Sequence, residues 1–116
     1  MIIIDYQNRT PIYEQIVLEV EKYVALGIYK PNQQIQSIRE LATELGINPN
    51  TVKKAYDELE KRGTIKTIST KGTFISEDTK KLLENKVDEE IEIIRQKIKE
   101  LEKLGVSREK ILEKIK

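Results

Sequence analysis

Apolar residues recur every fourth position at Ile12, Ile16, Val20 and Val24, with Tyr13, Val17 and Tyr23 beside them. That period is helical, and it predicts a first helix of about four turns. Thr10 before Pro11 supplies its start, with threonine as N-cap and proline at the first helical position, and Gly27 is placed to stop it. Upstream, the β-branched run of residues 1–4 and the polar residues 5–10 predict a short extended lead-in. Residues 28–32 read as a turn, and residues 33–35 as a brief extended link.

The next two periodic segments are joined by a very short turn. Ser37 with Glu40 three residues on is a capping box, so a helix begins at Ile38. Leu41, Ala42 and Leu45 share one face, and Gly46 is placed to close the helix in a left-handed conformation. Asn48 caps again, with Pro49 at the first helical position, and Val52, Ala55, Tyr56 and Leu59 form a second buried stripe ending at Gly63. The pair reads as a helix-turn-helix. Its second helix leaves Asn48, Asn50, Thr51, Lys53, Lys54 and Asp57 facing outward. Asn, Thr and Lys are side chains that bond base edges or nearby phosphates when such a helix enters the major groove. The alternative for this face is an ordinary solvated surface.

After Gly63 the period changes from helical to alternating. Residues 64–68 alternate polar and apolar, residues 69–72 carry turn chemistry, and residues 73–75 return as a second β-rich run. The resulting hairpin, following a helix-turn-helix, is the wing of a winged helix. Lys71 at its tip supplies charge, and Gly72 permits close backbone approach to a phosphate or to the minor groove. The alternative is a plain tight turn. Further on, Val87, Ile91, Ile94, Ile98 and Leu101 recur at spacings of four, three, four and three, the seam of a coiled coil on a helix over residues 78–104. Gly105 closes that helix, Ser107 caps another, and Ile111, Leu112 and Ile115 give the last helix an apolar face. A helical hairpin of about 40 residues cannot bury such a stripe alone, so pairing with a second copy is expected. Packing back on the same chain's winged helix is the alternative.

The chain has 116 residues, enough for one domain and an appendage, which divide as a winged-helix domain over residues 1–76 and a two-helix dimerisation tail over residues 77–116. The fold class expected is mainly α with a small β-hairpin wing. Lys plus Arg number 21 and Asp plus Glu 20, so the net charge of +1 gives no overall field toward nucleic acid, and any such field is local. With no Cys and no His, disulfides, thiol or imidazole metal ligands and a histidine general base are absent. This argues against most enzyme classes, and no cofactor or metal is expected. The absence of a long apolar run or a basic, hydrophobic leader predicts a soluble cytoplasmic protein without membrane partners.

From Ile4 to Ile75 the chain resembles the winged-helix domain of the GntR family of bacterial transcription regulators. The likeness rests on five ordered motifs: Pro11-Ile12-Tyr13-Glu14-Gln15-Ile16, Gly27-Ile28-Tyr29-Lys30-Pro31-Asn32, Gln36-Ser37-Ile38-Arg39-Glu40-Leu41-Ala42, Thr51-Val52-Lys53-Lys54-Ala55-Tyr56 and Lys71-Gly72-Thr73-Phe74-Ile75. The resemblance implies DNA contacts from Arg39, Thr51, Lys53 and the wing near Lys71 and Gly72. Pro49 stands where many members carry a DNA-contacting arginine, so that contact does not carry over, and Asn48 and Asn50 are the candidates to replace it. Asn32 replaces a usual glycine, Gln36 a usual proline, and Ser69-Thr70 an often glycine-containing wing segment. The short tail is similar to that of the YtrA subfamily, which implies a dimeric repressor.

The sequence therefore predicts a homodimeric winged-helix regulator, most simply a repressor, on an inverted-repeat DNA operator, with no small-molecule effector identified. The reading from another class is a winged-helix and coiled-coil adaptor that binds protein and no DNA. An adaptor should expose apolar anchors on the second helix, where this chain has Asn, Thr and Lys.

Overall fold

A computed structural model of the protein describes residues 2–116; Met1, at the head of the expected lead-in, lies outside them. The elements are α1 (Ile12–Ala25), β1 (Gln34–Ile35), α2 (Ile38–Leu45), α3 (Pro49–Lys61), β2 (Ile65–Ile68), β3 (Gly72–Ile75), α4 (Thr79–Lys103) and α5 (Arg108–Lys114). The chain divides into two compact units, Met1–Leu83 and Glu84–Lys116.

In the first unit the helical stripes meet as their spacing requires. Ile16, Val17, Val20 and Val24 of α1, Leu41 and Ala42 of α2, and Val52, Ala55, Tyr56 and Leu59 of α3 are all buried in one core, with Ile35, Ile65 and Ile75 contributed by the strands. Burial of side chains of this size is the main source of stability, about 1.5–3 kcal/mol each. Arg62, just past α3, ties the helices laterally: its guanidinium pairs with Glu21 of α1 and, at 2.9 Å, with Glu58 of α3.

The start of α1 differs from the sequence reading. Pro11, not Thr10, is the N-cap, and no side chain caps the helix. Gln15, which is buried, instead ties the segment before the helix to its first turn. Its Nε2 donates to the Thr10 carbonyl at 2.9 Å and to the Asp5 carbonyl at 3.0 Å, while its Oε1 accepts from the Asp5 N–H at 2.9 Å. Residues 6–10 accordingly turn rather than run extended, and Ile2 is buried in the core.

The helix-turn-helix forms where its punctuation puts it. Ser37 and Glu40 make both bonds of the capping box, each at 3.1 Å. Gly46 closes α2 at φ 67, a left-handed conformation that a Cβ would oppose. Asn48 caps α3 with Pro49 in its first turn.

The brief extended link read at residues 33–35 is β1, and its pairing with the hairpin makes a three-stranded sheet. Its order is β1-β3-β2, and both pairings are antiparallel. Gln34 pairs with Phe74 and Ile35 with Thr73, so the short link before α2 is hydrogen-bonded to the wing. Ile35, Ile65 and Ile75 are buried, whereas Gln34 and Ile68 are exposed and Lys66 and Phe74 intermediate. The first turn of α4 belongs to this unit as well. Thr79 is fully buried, its hydroxyl donating to the carbonyls of Ser76 at 2.8 Å and Thr64 at 3.0 Å, and Leu83 packs on the core.

The second unit consists of the rest of α4, the turn at Gly105 and α5. Gly105 adopts φ 89 after α4, and Ser107 caps α5 by accepting from the Lys110 N–H. Arg108 pairs with Glu102 across the turn at 3.2 Å. Of the apolar face expected on α5, Ile111 is buried while Leu112 and Ile115 stay exposed.

Candidate nucleic-acid interface

The exposed residues of α3 cluster at its N-terminal end because the opposite face is committed to the core. Asn48, Asn50, Lys53, Lys54 and Asp57 are exposed and Thr51 is half-buried. Asn48 is divided in function: its Oδ1 accepts from the Asn50 N–H at 2.8 Å, which fixes the helix start. Its amide nitrogen and the second lone pair of Oδ1 are left to reach a partner.

The two lysines of this helix are held differently. Lys53 pairs with Asp57 at 2.8 Å, one turn away, with both side chains about 60% exposed. Such a pair contributes little to stability and yields readily to a phosphate. Lys54 sits with its Nζ 4.0 Å above the centre of the Tyr13 ring. A cation over an aromatic face is attracted by the ring quadrupole, so Tyr13 steers Lys54 toward the start of α1. The Tyr13 hydroxyl in turn donates to Glu14 at 3.1 Å. That bond, followed by partial burial, holds its phenol above the ordinary tyrosine value, so the ring stays neutral. An open groove of about 420 Å³ runs between the two helix starts, lined by Pro11, Ile12, Tyr13, Asn50, Thr51 and Lys54 among others.

Arg39 lies in the first turn of α2 and is exposed, with no hydrogen bond or ion pair among the described residues. Lys71 is likewise exposed in the wing turn, where its N–H donates to the Ile68 carbonyl at 3.0 Å. The two bring free positive charge to the helix-turn-helix and to the wing. Gly72 is not at the tip, as its turn chemistry suggested; it opens β3 and pairs with Ile68. Its lack of a side chain answers first to its backbone, at φ 124, where any L side chain is strained; a Cβ there would also lie 2.5 Å from Gln34 Nε2, the movable end of an exposed side chain. The tip is Ser69, Thr70 and Lys71, with Thr70 left-handed at φ 65.

Sequence reasoning missed Tyr13 and Gln34. Tyr13 packs against the core as the α1 stripe predicts, and nothing in a single sequence marks that its ring also supports a lysine on another helix. Gln34 lies in a two-residue strand, too short to show a period.

On the second unit, the seam residues lie on α4 with most of their apolar surface open. Val87 is 59%, Ile91 47%, Ile94 51% and Leu101 40% exposed, and Ile98 is half-buried. The charged residues between them make exposed pairs, including Arg95 with Glu92 and Lys97 with Glu100. Glu92 is held below the ordinary carboxylate range, chiefly by the Gln96 amide and then by Arg95. Among the described residues no helix is long and apolar enough to cross a membrane.

Comparison with known proteins agrees with this architecture over the whole chain. Residues 12–75 match the family model described as "Bacterial regulatory proteins, gntR family". The HTH-type transcriptional repressor YtrA of Bacillus subtilis is 46% identical over an alignment that covers 100% of this chain and 90% of that protein. A transcriptional regulator from Oenococcus oeni superimposes with a TM-score of 0.75 at 38% identity, covering 97% of this chain and 93% of its own. The AraR DNA-binding domain, solved in complex with an operator, superimposes with a TM-score of 0.52 at 28% identity over 55% of this chain and 77% of its own. With a helix-turn-helix, a wing and a short helical tail matched in order, the chain belongs to the GntR family of bacterial regulatory proteins.

Proposed function

We propose that the protein is a homodimeric transcription repressor that binds an inverted-repeat operator and performs no catalysis. The observation that carries this reading is the start of α3, whose inner face is locked into the core while Asn50, Lys53 and Lys54 stand exposed beside the Asn48 cap. A rigid helix with a polar, donor-rich N-terminal end is suited to the major groove. Arg39 and Lys71 are phosphate ligands that set its register, Asn48, Asn50 and Thr51 read bases, and Lys53 and Lys54 serve base edges or the adjacent backbone. Gly72 acts by letting the wing backbone keep its shape. The GntR regulators that this chain resembles include a named repressor matched over 90% of its length and a domain solved on operator DNA.

Pairing follows from the second unit. Val87, Ile91, Ile94 and Leu101 form a half-exposed apolar stripe on α4, with Ile98 on the same seam. A second copy covers it most economically, since a two-fold dimer presents the same seam from each side. Residues 1–76 are then the DNA-binding part and residues 77–116 the pairing part. Two recognition helices on one dimer occupy two inverted half-sites, and a promoter overlapping them is occluded. The working location is the cytoplasm, where bacterial operators are.

Selecting bound sequences from a random DNA pool tests the reading. The expected result is enrichment of one inverted repeat, lost when Asn50 and Thr51 are replaced by Ala. A pool that emerges unenriched, at salt low enough to permit phosphate contacts, contradicts it. The adaptor reading gains nothing from α3, whose outer face carries Asn50, Lys53, Lys54 and Asp57 in place of apolar anchors.

A further inference from the structure

We propose that Gln34 is a positioning residue for DNA binding: it braces the wing tip from the strand that leads into the helix-turn-helix, and acts through Lys71. The inference rests on the DNA reading above for its function but on the free protein for its geometry. Gln34 stands opposite Phe74 in the β1–β3 pairing. Residues two apart on a strand share a face, so Gly72 is the diagonal neighbour of Gln34. The glutamine amide lies in the space that a side chain at Gly72 would fill, with its Nε2 only 2.5 Å from an ideal Cβ. From there the Nε2 donates to the Lys71 carbonyl at 3.1 Å.

Lys71 is thereby held at both backbone groups. Its N–H closes the turn onto Ile68, and its carbonyl is taken by Gln34. The brace opposes a built-in weakness, since the turn carries Thr70 in a left-handed conformation that a β-branched residue resists. Two residues along the chain, the Gln36 carbonyl accepts from the Tyr56 hydroxyl of α3 at 2.7 Å, and the Gln36 amide donates to Glu44 of α2 at 2.9 Å. Residues 34–36 thus connect the reading helix, the helix before it and the phosphate-binding tip. A protein that reads bases with one element and grips phosphates with another needs their separation fixed before binding, because freedom lost on binding is subtracted from affinity.

The test uses the full chain with Gln34→Met, Lys71→Ala and the double variant. Methionine keeps the volume of glutamine without the N–H donor. Backbone 15N relaxation of the free protein should show loss of order on the ps–ns timescale at residues 69–72 in Gln34→Met, with Ile65 and Ile75 unchanged. Affinity for a random-sequence DNA duplex, measured by fluorescence anisotropy across a salt series, should fall about two- to tenfold in Gln34→Met, the cost of ordering one loosened side chain. Lys71→Ala should lower the salt slope by about one, and adding Gln34→Met to it should cause no further loss. Unchanged order at the tip in Gln34→Met overturns the brace whatever the DNA does. A loosened tip with undiminished affinity, while Lys71→Ala still weakens binding, overturns its role in positioning and leaves the DNA reading intact. Additive losses in the double variant show that Gln34 does not act through Lys71, which also overturns it.

Discussion

Replacing Tyr56 by Phe isolates one hydrogen bond that joins the two halves of the helix-turn-helix. Tyr56 is 4% exposed, and its hydroxyl donates to the Gln36 carbonyl at 2.7 Å. Phenylalanine keeps the ring packed against the core and deletes only that donor. A buried acceptor left unpaired costs about 1–3 kcal/mol. Gln36 is half-buried and water can partly replace the phenol, so the lower part of that range applies, about 1–2 kcal/mol. For a domain of this size each kcal/mol moves the midpoint by roughly 4–8 °C, which predicts a drop of about 5–15 °C. Thermal and urea unfolding, followed by circular dichroism, measure it. Both proteins must be compared at one concentration, because the proposed pairing would make the midpoint concentration-dependent.

The same variant makes a signed prediction for alkaline pH. Burial, with smaller contributions from Tyr29, Glu40 and Glu44, raises the Tyr56 phenol well above its ordinary value, so the fold favours the neutral form. The unfolded phenol ionises near pH 10. The contribution of Tyr56 is therefore complete below about pH 10 and is lost as pH rises from there toward the folded value. Wild-type stability should fall above pH 10, and that of Tyr56→Phe should fall less steeply, the remainder coming from Tyr13, Tyr23 and Tyr29, which are also raised. A loss within the roughly 0.5 kcal/mol of an ordinary surface substitution, with no change in alkaline slope, would refute the reasoning.

Three further outcomes are expected. Ile91→Asp with Ile98→Asp should give monomers by sedimentation, since unpaired charge in a covered seam costs several kcal/mol; an unchanged dimer would remove the seam assignment. Arg39→Ala and Lys71→Ala should each weaken binding to all sequences and lower the salt slope by about one, whereas Asn50→Ala and Thr51→Ala should alter base preference; an Arg39→Ala protein with undiminished affinity would count against the docking proposed. Thr70→Asn should stabilise the wing by up to about 1 kcal/mol by relieving a β-branched residue at positive φ, and a destabilised variant in urea unfolding would show that Thr70 is held by something other than backbone strain.

Much of the first unit is legible because its signals are local. Ser37 with Glu40, Gly46, and Asn48 with Pro49 act within one turn of themselves, and the stripes of α1 and α3 repeat often enough to announce a face. What escaped notice depends on residues distant in sequence. Gln15 holds the segment before α1 by reaching ten residues back to Asp5. The extended link at residues 33–35 is legible, but its pairing with β3 is not, since two residues carry no sign of a partner. Gly72 looks like a tip glycine because turn residues favour glycine, yet it opens β3 at φ 124, with the amide of Gln34, 38 positions earlier in the chain, beside it. Lys54 is legible as an outward charge on α3, but the Tyr13 ring beneath it belongs to another helix. The outward set on α3 was legible as an exposed face, but which of its members meet bases depends on a partner that the chain alone does not contain.

The most direct test of the dimer-on-operator account is a gel-shift series in which the spacing between selected half-sites is varied. Two recognition helices on one symmetric dimer need half-sites on the same face of the duplex, with centres about 10 bp apart or a multiple of it. Inserting roughly 5 bp turns one half-site to the far side, and binding should fall toward the non-specific level of a single domain. Affinity indifferent to spacer length would contradict the account and leave independent monomer binding in its place.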